Sequence, residues 1–214
     1  WEELEALYST RLKRGYAGLP ELHLQYRNFA EWQRVWLQTR AAEDQLIYWR
    51  EKLEGLTELP LRTDRPRPEI WTGCGARYPL KLSRVLSRGI KSLSQAHGAT
   101  LFMTLLAAFK CLLYRYTEHE DVAVGSLIAN RNQIQIERLI GMFANTIVLR
   151  TDLSGDPRFS DVLRRVRQVT LDAYRNQDLP IEKILQVLKV PRNIDRNSFC
   201  LLYTSDAADD LTRV

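Results

Sequence analysis

The chain has 214 residues, 45% hydrophobic and 27% charged, the balance of an ordinary globular protein of one domain or two small ones. No apolar run is long enough to span a bilayer, and no charged, apolar, small-residue leader opens the chain. The cysteines Cys74, Cys111 and Cys200 lie far apart, form no metal-like spacing and read as reduced thiols of a cytosolic protein.

The net charge of +5 is uneven: 8 Lys/Arg against 10 Asp/Glu over residues 1–59, 22 against 13 over 60–199, and 1 against 3 over 200–214. The basic middle raises nucleic acid as a partner. Its arginines, however, mix with apolar helix positions and form no aromatic-interleaved stripe. A solvated helix face is the simpler reading, with an acidic protein or a phosphate-bearing arm next.

Glu2–Lys13 reads as a helix, with Leu4, Leu7, Tyr8 and Leu12 at three- and four-residue spacing. It opens without a cap, so Trp1 reads as a cut. Residues 15–20 break the pattern. A second helical stretch, Tyr26–Gly55, carries Phe29, Trp32, Trp36 and Trp49 and stops at a glycine. The three prolines of LPLRTDRPRP (residues 59–68) make it an extended linker and the best internal boundary. Ala76–Leu82 alternates as a strand. Val85–His97 is a helix ending at Gly98, and Thr100 caps Leu101–Tyr116, which is apolar nearly all round and belongs in an interior.

Asp121–Ile128 is a short apolar strand whose Gly125 suggests a bulge or a close approach. Phe143–Thr151 is another strand, Phe159–Tyr174 a helix with its arginines outward, and Ile181–Leu188 a short helix after Asp178–Leu179–Pro180. Alternating helices and strands indicate an α/β (α+β) fold, a sheet with helices on its face.

Four blocks carry a pattern that composition does not explain: Tyr26-Arg-Asn-Phe-Ala-Glu-Trp32, Ile140-Gly-Met-Phe-Ala-Asn-Thr146 running on to Arg150, Asn176-Gln-Asp-Leu-Pro-Ile-Glu182, and Arg192 to Asn197. In order and spacing they resemble core motifs of the condensation domains of nonribosomal peptide synthetases. Asn28 stands where that family usually has an acid, Ala144 where it has valine, and Asn176, Ile181, Asn193 and Asp195 also depart. The resemblance covers Trp1 to about Asn197.

The resemblance implies a chloramphenicol acetyltransferase-like two-layer sandwich, here incomplete. Residues 1–59 would end the first half of such a domain, and 60–199 would form most of the second. The parent would form an amide between a donor acyl or peptidyl thioester and an acceptor amine, each on the phosphopantetheine arm of a carrier protein. Its partners would be peptidyl and aminoacyl carrier proteins and adjacent synthetase domains, in the cytoplasm, with no nucleic acid and no membrane. The family's His-His-x-x-x-Asp-Gly signature would lie before Trp1. His23, His97 and His119 match no part of it, so no catalytic residue is assigned, and neither a metal nor a bound cofactor is expected. A positioned imidazole suits the proton transfer of amide formation, so the fragment alone is expected to be inactive. An epimerisation or cyclisation relative is opposed by the Gly-x-Phe-x-Asn-Thr block; a non-catalytic docking module is the alternative of another class.

The site residues keep two readings each. Asn145 faces the tunnel, as the resemblance implies, or satisfies a strand end. Ser126 and Asn130 line the acceptor side or serve a loop. Gly141 serves the backbone, through a turn or a positive φ. Arg150 reads as a structural ion pair. Asp178 and Glu182 read as helix-start carboxylates rather than an acid pair. Tyr26, Trp32, Phe143, Thr146, Gln177 and Pro180 are motif positions of structural kind. From Cys200 the family pattern stops, and residues 200–214 read as a non-native tail, the translated read-through of a sequencing adapter. That tail is expected to be irregular, or at most a short exposed helix, although Leu201, Leu202 and Tyr203 could join a strand edge.

Overall fold

The computed structural model describes residues 2–13, 15–16, 18–57, 59–61, 64, 79–188 and 200–202. In chain order these form α1 (Glu2–Leu12), α2 (Tyr26–Trp36), α3 (Arg40–Leu53), α4 (Arg84–Ala96), α5 (Leu101–Thr117), β1 (Asp121–Ile128), α6 (Ile134–Glu137), β2 (Asn145–Asp152), α7 (Phe159–Arg175), α8 (Ile181–Leu188) and β3 (Cys200–Leu202). They divide into two compact units, one of Trp1–Val35 with Arg131–Met142, the other of Trp36–Asn130 with Phe143–Val214. No single described helix is long and apolar enough to cross a membrane.

In the first unit, α2 starts with a side-chain cap. The Asn28 side chain accepts from the Gln25 N–H at 2.9 Å, so the amide that replaces the family's usual acid still satisfies an end donor. Rings of Tyr26, Phe29 and Trp32 stack along the helix at 6.0 and 5.7 Å between centroids. The stripe Leu4, Leu7, Tyr8 and Leu12 that marks α1 is exposed.

The second unit holds the sheet, in the order β2-β1-β3. β1 and β2 are antiparallel, from Asp121 opposite Asp152 to Ile128 opposite Asn145. β3 runs parallel to β1, with Cys200 opposite Val124 and Leu202 opposite Ser126. The apolar run at the start of the tail thus joins a strand edge; residues 203–214 lie outside the described residues. Register passes through Gly125 without a bulge. Both longer strands are buried almost continuously, and Leu106 of α5, Val122 and Val124 of β1, Leu149 of β2 and Leu163 of α7 are the centre of the core. Each such side chain contributes about 1.5–3 kcal/mol relative to exposure.

The structure departs from the sequence reading at several points. Tyr26–Gly55 is two helices, not one. At Thr39 the hydroxyl donates to the Trp36 carbonyl and accepts from Ala42 N–H, ending α2 and capping α3 together. α3 buries Trp49 and Leu53 in the second unit's core, so it packs with elements that follow the Pro-rich run. Ala76–Leu82 lies partly outside the described residues, and its described part, 79–82, is not a strand; Pro79 has no N–H to offer a ladder. The Arg192–Asn197 block also lies outside. β2 begins at Asn145 rather than Phe143. α5, capped by Thr100 as expected, is interior on one face only: Leu101, Leu105, Leu112 and Tyr116 are exposed.

Lys110 of α5 is fully buried. Its ammonium donates to the carbonyls of Val122, at 3.3 Å, and Leu149, and to Thr151 Oγ1 at 2.6 Å, matching three donors to three acceptors across both strands. Burial pulls its pKa down to about 7, against the opposing pull of the Asp121 carboxylate. The folded value lies below the unfolded one, near 10.5. Between these the unfolded chain binds more protons, so this group's contribution to stability rises with pH, by at most about 1.4 kcal/mol per pH unit. Urea midpoints across that window should climb for the native chain and flatten for Lys110→Met. Parallel curves for the two proteins would refute the assignment.

Candidate functional site

Two of the sequence blocks meet at one side chain. Asn145 opens β2 and is buried, 7% exposed. Its Nδ2 donates to the carbonyls of Gln177 and Leu179 at 2.8 and 2.9 Å. Its Oδ1 accepts from the N–H groups of Thr146 and Ile181 at 2.8 and 3.1 Å. A primary amide has two donors and two acceptor lone pairs, so none remains for a substrate. Asn145 is therefore a brace between β2 and the start of α8.

Helix α3 grips the same loop from another side. Gln45 Nε2 donates to Asp178 Oδ2 at 3.0 Å, and Gln45 Oε1 accepts from Leu179 N–H at 3.1 Å. Trp49 Nε1 donates to the Asn176 carbonyl at 2.8 Å. Sequence reasoning missed Gln45. The i, i+4 spacing of Gln45 and Trp49 put them on one face, but nothing local pointed to partners more than 120 residues away. Gln177 contributes its backbone carbonyl, and Pro180 accepts from Lys183 and Ile184 N–H to start α8. Asp178 is engaged by Gln45, while Glu182 is exposed in the first turn of α8, where negative charge suits the helix dipole. They form no acid pair.

Arg150 forms an ion pair. Its Nε and Nη2 engage Asp121 at 2.8–3.0 Å, and its Nη1 donates to the carbonyls of Lys52 and Glu54 at 3.0 and 2.7 Å. One guanidinium thus ties the strand ends to the end of α3. Ser126 is buried on β1. Register places it on the same sheet face as Asn145, one step along the ladder. Asn130 follows with φ +52° where the chain leaves the sheet. Of the tunnel candidates, Ser126 and Asn145 come together and Asn130 sits beyond the strand end. Phe143 is buried and Thr146 half-buried.

In the first unit, Tyr26 and Gly141 meet. Any Cβ at Gly141 would collide with the Tyr26 ring, and the Tyr26 hydroxyl donates to the Met142 carbonyl at 2.9 Å. Gly141 has no positive φ; it is glycine because an aromatic ring lies against its Cα. Arg131 orders the same segment by donating to the carbonyls of Ile136, Glu137, Leu139 and Gly141. Trp32 is 44% exposed, stacked on Phe29 rather than sunk in a core.

A cavity of about 800 Å³ in the second unit lies between α3 and α7 at the strand ends, lined by Lys52, Asp121, Arg150, Thr151, Arg165 and Asp172 among others. Its charges are mixed, and Arg150 and Arg165 are already committed to protein acceptors. Among the described residues no cluster of His, Cys, Asp or Glu could hold a metal ion. His23 and His97 are exposed and His119 is half-buried. The described residues supply a sheet and a loop braced against it.

Comparison with known proteins identifies the family. A family model described as "Condensation domain" matches residues 1–202. One of the linear gramicidin synthase proteins of Brevibacillus parabrevis is 49% identical over 194 residues, which is 90% of this chain and 4% of that protein. The X-domain in the complex of the X-domain and OxyB from teicoplanin biosynthesis superposes with a TM-score of 0.86 at 30% identity, over 92% of this chain and 44% of that one. The first condensation domain of the CDA synthetase shares the fold, with a TM-score of 0.68 at 17% identity over 87% of this chain and 41% of that one. The chain thus spans less than half of either solved domain.

Asn145→Ala should destabilise the chain by about 1–3 kcal/mol, the cost of orphaning buried donors and acceptors. Asn145→Asp should do no better, since a carboxylate cannot donate to two carbonyls. Urea unfolding followed by tryptophan fluorescence measures both, and an alanine variant as stable as the native chain would mean that the brace is dispensable. Gly141→Ala should displace the Tyr26 ring and speed amide hydrogen exchange over residues 134–142; unchanged exchange would show that the ring yields freely.

Proposed function

Because the chain belongs to the condensation-domain family, we propose that it is an internal part of a peptide-synthetase condensation domain. The parent joins two carrier-bound acyl groups by an amide bond. The observation that carries this reading is the extent of the match, residues 1–202 in one family model with 49% identity to a linear gramicidin synthase. Of the described blocks, Tyr26 lies against Gly141, and Asn145 braces residues 177–181.

In this reading residues 1–59 end the first half of the domain and residues 60–199 belong to the second, a chloramphenicol acetyltransferase-like two-layer lobe. Ser126, buried on β1, and Asn130, beyond its end, belong to the acceptor side of the tunnel. Asn145, Gln45 and Arg150 do not touch substrate; they fix the strands there. Both substrates arrive on the phosphopantetheine arms of carrier proteins in the cytoplasm. Holding two tethered reactants in line supplies much of the acceleration, and a rigid wall is what that requires. The imidazole that manages the amine's proton belongs to a His-His-x-x-x-Asp-Gly segment outside these 214 residues.

A second reading has an observation in its favour. The X-domain that superposes at 0.86 was solved with OxyB bound, so a relative of this chain serves as a docking partner for another protein. A non-catalytic docking module remains the alternative on that ground.

Single-turnover assay with donor- and acceptor-loaded carrier proteins separates the readings. This chain alone should form no amide. Joined to an upstream segment with an intact histidine signature, it should form product, and His→Ala in that signature should abolish it. Product from the chain alone would overturn the assignment of the imidazole to another segment. A completed domain that binds carriers yet forms no amide would favour the docking module.

A further inference from the structure

Six of the seven buried polar side chains among the described residues have hydrogen-bond partners. Ser94 and Thr104 share a bond, Lys110 donates to Thr151, Asn145 is saturated, and Thr170 donates to the Val166 carbonyl. Ser126 is the exception. It is 3% exposed, its backbone pairs with Ile147 in the ladder, and its hydroxyl bonds to no described residue. A hydroxyl buried without a partner lowers stability, and in a native fold it marks a place for a water, a ligand or a reaction. Ser126 Oγ is not sealed in. Every fully enclosed side-chain nitrogen or oxygen among the described residues has a partner, so this unpartnered hydroxyl keeps contact with accessible space.

The surroundings decide which chemistry fits. Ile147 lies directly opposite Ser126, and Val124 and Ile128 are on the same sheet face, two residues to either side. All three are buried. Asn145, opposite Ile128, has no free donor or acceptor. Ser126 therefore offers one donor and two lone pairs inside an apolar shell. A charged group would lose its hydration there without gaining a counter-charge, which disfavours ammonium, carboxylate and phosphate. A neutral group that needs one hydrogen bond fits.

In the proposed reaction the acceptor amine has that requirement. An α-amine titrates at about pH 8, and only its neutral form has a lone pair to attack the donor thioester. Apolar surroundings favour the neutral form. A hydroxyl oxygen that accepts from one N–H leaves that lone pair free and fixes its direction. We propose that Ser126 Oγ positions the neutral acceptor amine by accepting a hydrogen bond from one of its N–H groups. Ser126 takes no proton in this role; the transfer stays with the imidazole outside these 214 residues. The inference rests on the proposed function and adds to it the atom that meets the nucleophile.

The first test needs only the 214-residue chain. Ser126→Ala removes a hydroxyl that bonds nothing, so the urea midpoint should stay the same or rise. Ser94→Ala, which breaks a buried bond, should lower it. A fall for Ser126→Ala as large as that for Ser94→Ala would make the hydroxyl structural and overturn the proposal. The second test uses the domain completed by an upstream histidine segment. At saturating acceptor, single-turnover amide formation should slow about three- to tenfold for Ser126→Ala, the equivalent of one lost neutral hydrogen bond. The acceptor concentration for half-maximal rate should stay nearly the same. An aminoacyl thioester of N-acetylcysteamine, which keeps the amine and lacks most of the arm, should show the same slowing. An unchanged rate overturns the amine contact. Slowing with the carrier-bound acceptor alone assigns the hydroxyl to the arm and overturns it as well. No product from the native completed domain overturns the proposed function, and this contact with it.

Discussion

The amide of Asn145 has four hydrogen-bonding functions and uses all of them on backbone. A buried amide left half-satisfied would cost free energy comparable to that of several lost hydrogen bonds, so the strand and the loop can approach only where every partner is present. This condition fixes β2 against residues 176–181 and, through Gln45 and Trp49, fixes both against α3. The sheet face carrying Ser126 inherits its position from that junction.

The same economy recurs elsewhere. Arg150 neutralises Asp121 and caps the end of α3 with one guanidinium. Arg131 gathers four carbonyls of a short segment. Lys110 sets three donors among acceptors of both strands. Each long side chain replaces backbone partners that an irregular segment or a helix end lacks. In this chain Tyr26, Gly141, Asn145 and Arg150 of the motif blocks likewise hold segments together.

The surface shows a different logic. Apart from Ser126, polar side chains in the core are matched to partners, whereas α4 keeps like charges side by side and α5 leaves Leu101, Leu105, Leu112 and Tyr116 in contact with water. Cohesion of the chain does not account for either feature. In α4 the charges lie on one side of the buried face, and Leu86 and Leu93 lie on the other.

The sequence by itself determined the family, the approximate extents of α1, α4, α5, β1, α7 and α8, and the Thr100 cap. Those features are local: periodicity, Thr100 before an apolar run, a glycine after a helix, and motif blocks whose spacing survives substitution. It also placed Arg150 correctly as an ion pair, since an isolated arginine beside a sheet has few other stable fates. It could not decide Asn145, because a strand-end asparagine looks the same whether its amide faces a substrate or a backbone more than 30 residues away. It could not give the reason for Gly141, because the ring that excludes a Cβ there belongs to Tyr26, far earlier in the chain. The break at Thr39 and the exposed face of α5 were equally hidden, since apolar periodicity reports which residues could be buried and not which neighbours arrive to bury them. Only the tertiary structure decided these points, because each depends on a hydrogen-bond partner or a packing surface that is distant in sequence.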